Sequence, residues 1–571
     1  MKNNMIKEYI LRKGLICCTV AAALLSFTSC EGELDEVPDN RTEIDSPEKV
    51  ALLLTSGYPQ AVPAVMCELF GDNFVDNNVV KAGMHRSPSQ DFHAEAYAWK
   101  DVNNYSTGDD DTPYQTWEQF YQGIAVCNHA IRAMKEMSAN PAADINLSHS
   151  WGEAHVLRAY LHFVLVNVFA EAYKDASQSS VDKGIPYVTE PEETVNVNYG
   201  DPQYRHSVKE TYDLIEKDLL EGINLIDDSK YKVPAYHFNR NAANAFAARF
   251  YLYKRDYDNV IKYADAALGT NAATSLRKWT SINTNTINSM LNSYNDENAA
   301  CNFLLQSAYS LQDRLLSAVR FVINSGNAAE KVKSSSEAIY GSGPNWSDRL
   351  KCYDGKVYVY GEQDDGSWLF RVHEYFEYDD KIAGIGWVHI IYQPFTAEET
   401  LLCRAEAKLY KGDQEGAIND LNTWTASKLV SKELTLANIK SFYNSSKTVS
   451  QIAADDYLSE LHPADMSPEF KVLTGDDLSV LYCILHFRRI ETMFEGLRWF
   501  DIKRYGITVH HAYRGATDTN ITHDYLYWND KRRVMQIPNN VINAGYPSTD
   551  RATQVNQSSP MTVKPVLYKN N

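Results

Sequence analysis

The sequence predicts a mainly α fold, a scaffold of helical hairpin repeats joined to a loop-rich half that carries a few short strands. Three observations predict it. Two stretches match each other position for position at a spacing of 157 residues. Several other stretches set apolar residues on one helical stripe. Between 271 and 395 that periodicity stops, and Gly, Asn, Ser and short alternating runs take its place.

At the N-terminus, Lys2, Lys7, Arg12 and Lys13 precede an apolar run from Gly14 to Phe27, with Glu8 as the one acid. A basic stretch followed by a short apolar run is a secretion leader. A permanent membrane span needs about 20 apolar residues, more than this run holds. The run ends at Ser29-Cys30, and five of the next ten residues are acidic, among them Glu31, Glu33, Asp35 and Glu36. Residues 1–29 are therefore expected to be a removed signal peptide, and 30–45 a solvated acidic tether. The segment around Cys30 resembles a bacterial lipobox, with Phe27 where Leu is usual. That resemblance implies acylation of Cys30, and several acyl chains suffice for stable anchoring. The other reading is a plain signal peptide with an incidental cysteine.

Without the leader, 542 residues remain with a net charge of −22. Such a surface repels phosphates and argues against nucleic acid as a partner. It argues equally against an electrostatic role at anionic membranes. A hydrophobic fraction of 44% is ordinary for a globular core, and 46–571 is expected to be a single unit. Besides Cys30, the mature chain has Cys67, Cys127, Cys301, Cys352, Cys403 and Cys483. No two are close enough for a CxxC pair, so no zinc framework is expected. Cys127 and Cys403 lie in helical patterns, as buried small hydrophobes do.

Helical repeats are expected over about 116–270 and 396–427. Residues 116–137 put Phe120, Ile124, Cys127 and Ile131 on one stripe, whereas 151–173 is apolar almost all round. Residues 207–226 repeat Tyr212, Ile215, Leu219 and Ile223. The expected hairpins pair 116–137 with 151–173, and 207–226 with 239–254. The matched stretches begin at Ala248 and Ala405: Leu252-Tyr253-Lys254 corresponds to Leu409-Tyr410-Lys411, and Asp256 to Asp413. Each reads as helix, tight turn, helix, with the acid capping the second helix. This is the pattern of a tetratricopeptide hairpin. The loop-rich insert, about 271–395, and a second irregular stretch, 428–475, hold too many aromatic and apolar residues to be linkers. The run KVYVYGE in the insert reads as strand.

The C-terminal segment, about 480–571, contains LHFRRIETMFEGLRWFDIKRYG at 485–506, an amphipathic helix, a turn and a second helical piece. Arg488, Glu491 and Glu495 fall on one helix face by spacing. This string resembles the C-terminal signature of SusD-like (SusD/RagB) outer-membrane lipoproteins. VMQIPNNVINAG (534–545) is similar to that family's closing element, with Gln536 where Pro is usual. EAHVLRAYLHFVLVNVFA resembles its long helix, with Ala170 where Gly is usual. TAEETLLCRAEAKLYKGDQEGAINDLN resembles its repeat, but opens with Thr396 and carries Glu398 in place of a small residue, which implies a different packing of that turn.

The resemblance implies a non-catalytic lipoprotein on the outer face of a Gram-negative outer membrane. Acids after the cysteine resemble the surface-export signal of Bacteroidetes lipoproteins. It also implies a partner, a SusC-like TonB-dependent transporter, which would receive an oligosaccharide or polysaccharide captured by the loop-rich half. No cofactor is implied.

Sugars lay their C–H faces on Trp or Tyr rings, while amides, carboxylates and Arg take the hydroxyls. Two polar, non-periodic stretches fit that chemistry. The first offers Arg86, Tyr97, Trp99 and Asn103; the second offers Tyr340, Trp346, Tyr360 and Trp368. Trp99 and Trp346 stand among polar neighbours, and the competing reading is that such rings plug the loops onto the core. Trp117, Trp151, Trp424 and Trp499 sit in helical patterns and read as core. Asp109, Asp110 and Asp111 are calcium candidates, although the EF-hand spacing is missing and a solvated acidic loop explains them. No P-loop, GxSxG or Rossmann glycines occur. Peptide capture, a protein-interaction scaffold and a surface glycosidase are the alternatives; the aromatic richness of 330–390 favours sugar.

Overall fold

The computed structural model describes residues 43–76, 91–102, 110–192, 201, 204–283, 285–316, 321–322, 343–346, 372–443, 461–513 and 522–551, and the strand backbones at 351–352, 356–357, 360–363 and 366–368. The leader, Cys30 and the acidic run after it lie outside these. From Ser46 onward the described residues form one compact unit.

Helices dominate. The scaffold begins with α1 (Pro113–Met137) and α2 (Ser148–Phe169), packed on each other as the spacing predicts. α2 is buried on every side, in keeping with its all-round apolar sequence. α3 (Val208–Gly222) opens with a capping box formed by Ser207 and Glu210. Its main partner is α2, which corrects the pairing of this segment with 239–254. The reason is local. Gly152 and Gly222 let the two helices cross so closely that a Cβ on Gly222 would lie 2.4 Å from the Gly152 carbonyl. Arg158 of α2 then grips Asp218 of α3 at 2.7 Å.

α4 (Arg240–Lys254) pairs instead with α5 (Tyr257–Leu268), and α6 (Ala397–Tyr410) with α7 (Gln414–Ser427). These are the two matched hairpins, and α5 stacks on α6. Asp256 and Asp413 cap their second helices as expected, accepting from Asn259 N and Gly416 N. At the turns, Arg255 (φ 64°) and Gly412 (φ 86°) hold equivalent left-handed positions.

α8 (Gly475–Glu491) and α9 (Leu497–Tyr505) carry the C-terminal signature. α8 is buried nearly all round rather than amphipathic, and it stops at Glu491, so Glu495 lies in the following turn and not on its face. Many of the charges these helices carry are internal. Arg249, Glu399, Arg488, Asp501, Arg504 and Glu406 form an alternating chain of buried ion pairs across α4, α6, α8 and α9, with contacts of 2.7–3.2 Å. Burial alone would push the carboxyls of Glu399 and Asp501 up; the flanking guanidiniums outweigh it and hold both below the usual carboxylate range.

The departures from the family pattern find partners. Thr396 Oγ1 caps α6 by accepting from Glu399 N at 3.3 Å. Glu398 is buried and accepts the Arg277 backbone N–H at 2.5 Å. Gln536 bridges to Thr549, donating to its carbonyl at 3.0 Å and accepting its N–H at 2.8 Å. The Ala170 carbonyl accepts from Lys503 Nζ at 2.5 Å.

The loop-rich region does carry small strands. The principal sheet has β1 (Asn302–Ala308), β2 (Tyr375–Asp380) and β3 (Ile385–Thr396), antiparallel with β3 in the centre. Further on, β4 (Val509–Tyr513) pairs with β5 (Thr522–Leu526). Cys67, Cys127, Cys301, Cys403 and Cys483 are buried free thiols.

Candidate functional site

β3 reads IGWVHIIYQPFT, rich in the β-branched and aromatic residues that suit a pleated surface. It leaves β2 through a turn in which Asp380 Oδ1 accepts the N–H groups of Ile382 and Ala383 at 2.8 and 3.0 Å. Gly384 supplies the left-handed step at φ 68°. Gly386 meets β2 so closely that a Cβ there would lie 1.9 Å from the Glu377 carbonyl.

Pairing then sorts the side chains, since successive residues point to opposite faces. One face holds Ile390, buried with Val62, Ala64 and Ala308. The other face turns outward. Tyr375 stands across from His389, and Glu377 across from Trp387. The Tyr375 and His389 rings stack in parallel, centroids 5.5 Å apart and planes 16° apart. Tyr309, just beyond β1, lies 6.3 Å from Trp387. The Tyr375 hydroxyl accepts from Asn295 Nδ2 at 3.2 Å.

Trp387 is 59% exposed, an unusual position for the largest side chain. Its indole N–H donates to Asp379, which fixes the ring without covering it. Tyr309, Tyr375, Trp387 and His389 share this outward face as a ring platform; the first, second and fourth are half-buried around Trp387, whose exposed ring can take a flat C–H surface. Glu377 and Asp379 border it as exposed hydrogen-bond acceptors, whereas His389 Nδ1 is buried. On the opposite side of β2, Phe376 and Tyr378 are also exposed, packed edge to face at 4.7 Å.

The residues singled out in the sequence fall elsewhere. Tyr97 and Trp99 are buried, 2% and 1% exposed, so neither offers a ring to a ligand. Their burial comes from β4: the His511 ring lies between them, 4.0 Å from Tyr97 and 4.1 Å from Trp99. His511 Nδ1 and Nε2 face the carbonyls of Tyr97 and Gly71 at 2.7 and 2.6 Å, and Trp99 Nε1 donates to the Phe70 carbonyl at 3.0 Å. Trp346 is half-buried against Phe487 at 5.5 Å, at the edge of the core. Tyr360 and Trp368 are register partners across a short hairpin, Tyr360–Gln363 with Gly366–Trp368. Arg86, Asn103 and Tyr340 lie outside the described residues.

Of the acidic triplet, Asp110 and Asp111 are described, and both accept hydrogen bonds from protein groups. Asp109 lies outside the described residues. Asp110 accepts from Gln115 Nε2 at 2.8 Å. Asp111 is buried and accepts from Ser310 Oγ and Leu311 N at 2.7 and 2.8 Å. Burial pushes the Asp111 carboxyl up to about 7. Among the described residues no group of three or more His, Cys, Asp or Glu is placed to hold a metal. Trp117, Trp151, Trp424 and Trp499 are in the core, as their helical settings predict.

No described helix is long and apolar enough to cross a membrane. Residues 34–252 match a family model, SusD-like_3, described as starch-binding and associating with the outer membrane. The chain is 22% identical over 508 residues to SusD-like protein P38 of Formosa agariphila, across 84% of this chain and 88% of that protein. In fold it is similar to a SusD superfamily protein from Bacteroides thetaiotaomicron, with a TM-score of 0.53 at 16% identity over 89% of this chain and 100% of that one. It is likewise similar to a SusD-like carbohydrate binding protein from Bacteroides vulgatus, with a TM-score of 0.51 at 16% identity over 88% and 96% of the two chains.

Proposed function

We propose that this chain, a SusD-like protein in sequence and fold, is a lipid-anchored surface protein that binds a nutrient glycan and passes it to a TonB-dependent SusC-like transporter. The observation that carries the binding step is the outward ring platform on the β1–β3–β2 sheet, centred on exposed Trp387. Rings held open to solvent are what sugar C–H faces require, and carboxylates beside them accept hydroxyl protons. The family description, starch-binding, supports the ligand class. The leader, Cys30 and the acids after it support anchoring at the outer surface. Arg488, Asp501 and Arg504 of the signature are held in internal ion pairs, which supports a structural role for them.

The test is affinity electrophoresis against a panel of polysaccharides, with Trp387→Ala beside the parent protein. Retardation by a glycan that the substitution removes supports the reading. A well-folded protein that no glycan retards moves the ligand to peptide.

A further inference from the structure

Among the described residues, the strands that carry the ring platform bear acids and no Lys or Arg. β2 and β3 with their turn, residues 375–396, contain Glu377, Asp379 and Asp380 against one base, Lys381 at the turn. Glu377 stands directly across from Trp387, and Asp379 accepts its indole N–H, so carboxylates flank the most exposed ring on two sides. All three acids are exposed, and no arginine or lysine lies on β2 or β3 themselves.

We infer that the platform selects uncharged glycans and excludes polyuronates and sulfated polysaccharides. The inference rests on the reading that the platform binds glycan. A neutral sugar presents hydroxyls, which donate to Glu377 and Asp379 while the ring face takes the C–H surface. The carboxylate of a uronate, or a sulfate ester, stands where a neutral sugar has a hydroxyl or hydroxymethyl and presents acceptors only. It meets carboxylate acceptors with no proton between them, and β2 and β3 carry no guanidinium to bridge the pair, the described one beside the start of β2, Arg314, being held by Glu374; Arg is the residue that recognition of such groups favours. The repulsion acts before contact as well, because a field of one sign lowers the local concentration of like-charged ligand. It weakens as salt shortens the screening length to about 8 Å at physiological ionic strength.

The experiment uses the purified protein in native gels containing starch, galactomannan or xylan, or else polygalacturonate, alginate or a sulfated galactan. Parent, Trp387→Ala and Glu377→Gln/Asp379→Asn are compared at low and high salt, with melting curves to check that each folds. Asparagine at 379 keeps an acceptor for the Trp387 N–H. The expected result is retardation by at least one neutral glycan that Trp387→Ala reduces at least tenfold. Anionic polymers should bind at least tenfold more weakly than that glycan at low salt, and the double variant should narrow this gap. Trp387-dependent binding of an anionic polymer as strong as any neutral one overturns the charge selectivity and leaves glycan capture standing. Absence of Trp387-dependent retardation in every gel overturns both.

Discussion

The Arg504 guanidinium lies along the Glu406 carboxylate with two hydrogen bonds, 2.8 and 3.1 Å, and ties α9 to α6. The Tyr505 hydroxyl donates to the same carboxylate at 2.7 Å. Glu406 is completely buried, and removing it leaves three buried cations to share two carboxylates, with Arg504 keeping only Asp501. Glu406→Ala should therefore cost about 3–5 kcal/mol. Urea unfolding measures it, and a loss below about 1 kcal/mol would contradict the placement of Glu406 in the ion-pair chain.

Trp99 and Trp387 should separate folding from binding. Trp99→Ala empties a buried, hydrogen-bonded ring site and should destabilise by about 3–5 kcal/mol. Trp387→Ala removes a ring that is 59% exposed and should change stability by less than about 0.5 kcal/mol while binding falls. Melting temperatures beside affinity gels check both halves.

His162 predicts an acid-side loss of stability. Its Nδ1 lies 2.9 Å from the Arg158 carbonyl and its Nε2 3.1 Å from the Val188 N–H, so a neutral ring with the proton on Nδ1 satisfies both. Burial pushes this group down to about 3. The unfolded chain takes up the proton near 6.5, while the folded one does so only near 3. The contribution is complete above about pH 6.5 and drains away, by up to about 1.4 kcal/mol per unit, as pH falls toward 3. Glu68, pushed up to about 7 by burial, acts in the opposite sense and loses its contribution as pH rises through 7. Denaturation midpoints of the parent and His162→Asn between pH 7 and 4 isolate the histidine: the gap between them should shrink on acidification.

The two hairpin turns should respond differently to substitution at their left-handed residue. Gly412 sits at φ 86° with nothing near its Cα, so Gly412→Ala meets only backbone strain and should cost about 1 kcal/mol. Arg255 bears the same strain at φ 64°, but its guanidinium lies 3.5 Å over the Phe470 ring. Arg255→Gly relieves the strain and forfeits the ring contact, so its net change should stay within about 1 kcal/mol. Thermal unfolding of both variants checks the contrast.

The helical hairpins were legible because their determinants are local. The acid after the turn, the small residues and the apolar stripe all lie within one window of chain, and Asp256 and Asp413 cap where the spacing puts them. Burial of Trp99 was not legible, because its flanking residues are polar and the ring that covers it, His511, is more than 400 residues away. Exposure of Trp387 was hidden for the converse reason. Which way a strand residue points depends on register, and β3 takes its register from β1 at 302–308 and from a close approach at Gly386. α3 was paired with the wrong helix because a glycine-to-glycine crossing leaves no periodic signal.

Thr396 is at once the last residue of β3 and the cap of α6. A shift of one residue in the strand would turn the rings inward and uncap the helix in the same stroke. The chain thus has little freedom to slide the platform, whereas exchanging a side chain on it leaves strand and cap in place. A designer seeking a new ligand should treat 309, 375, 387 and 389 as interchangeable tiles on a fixed floor, and leave the floor alone.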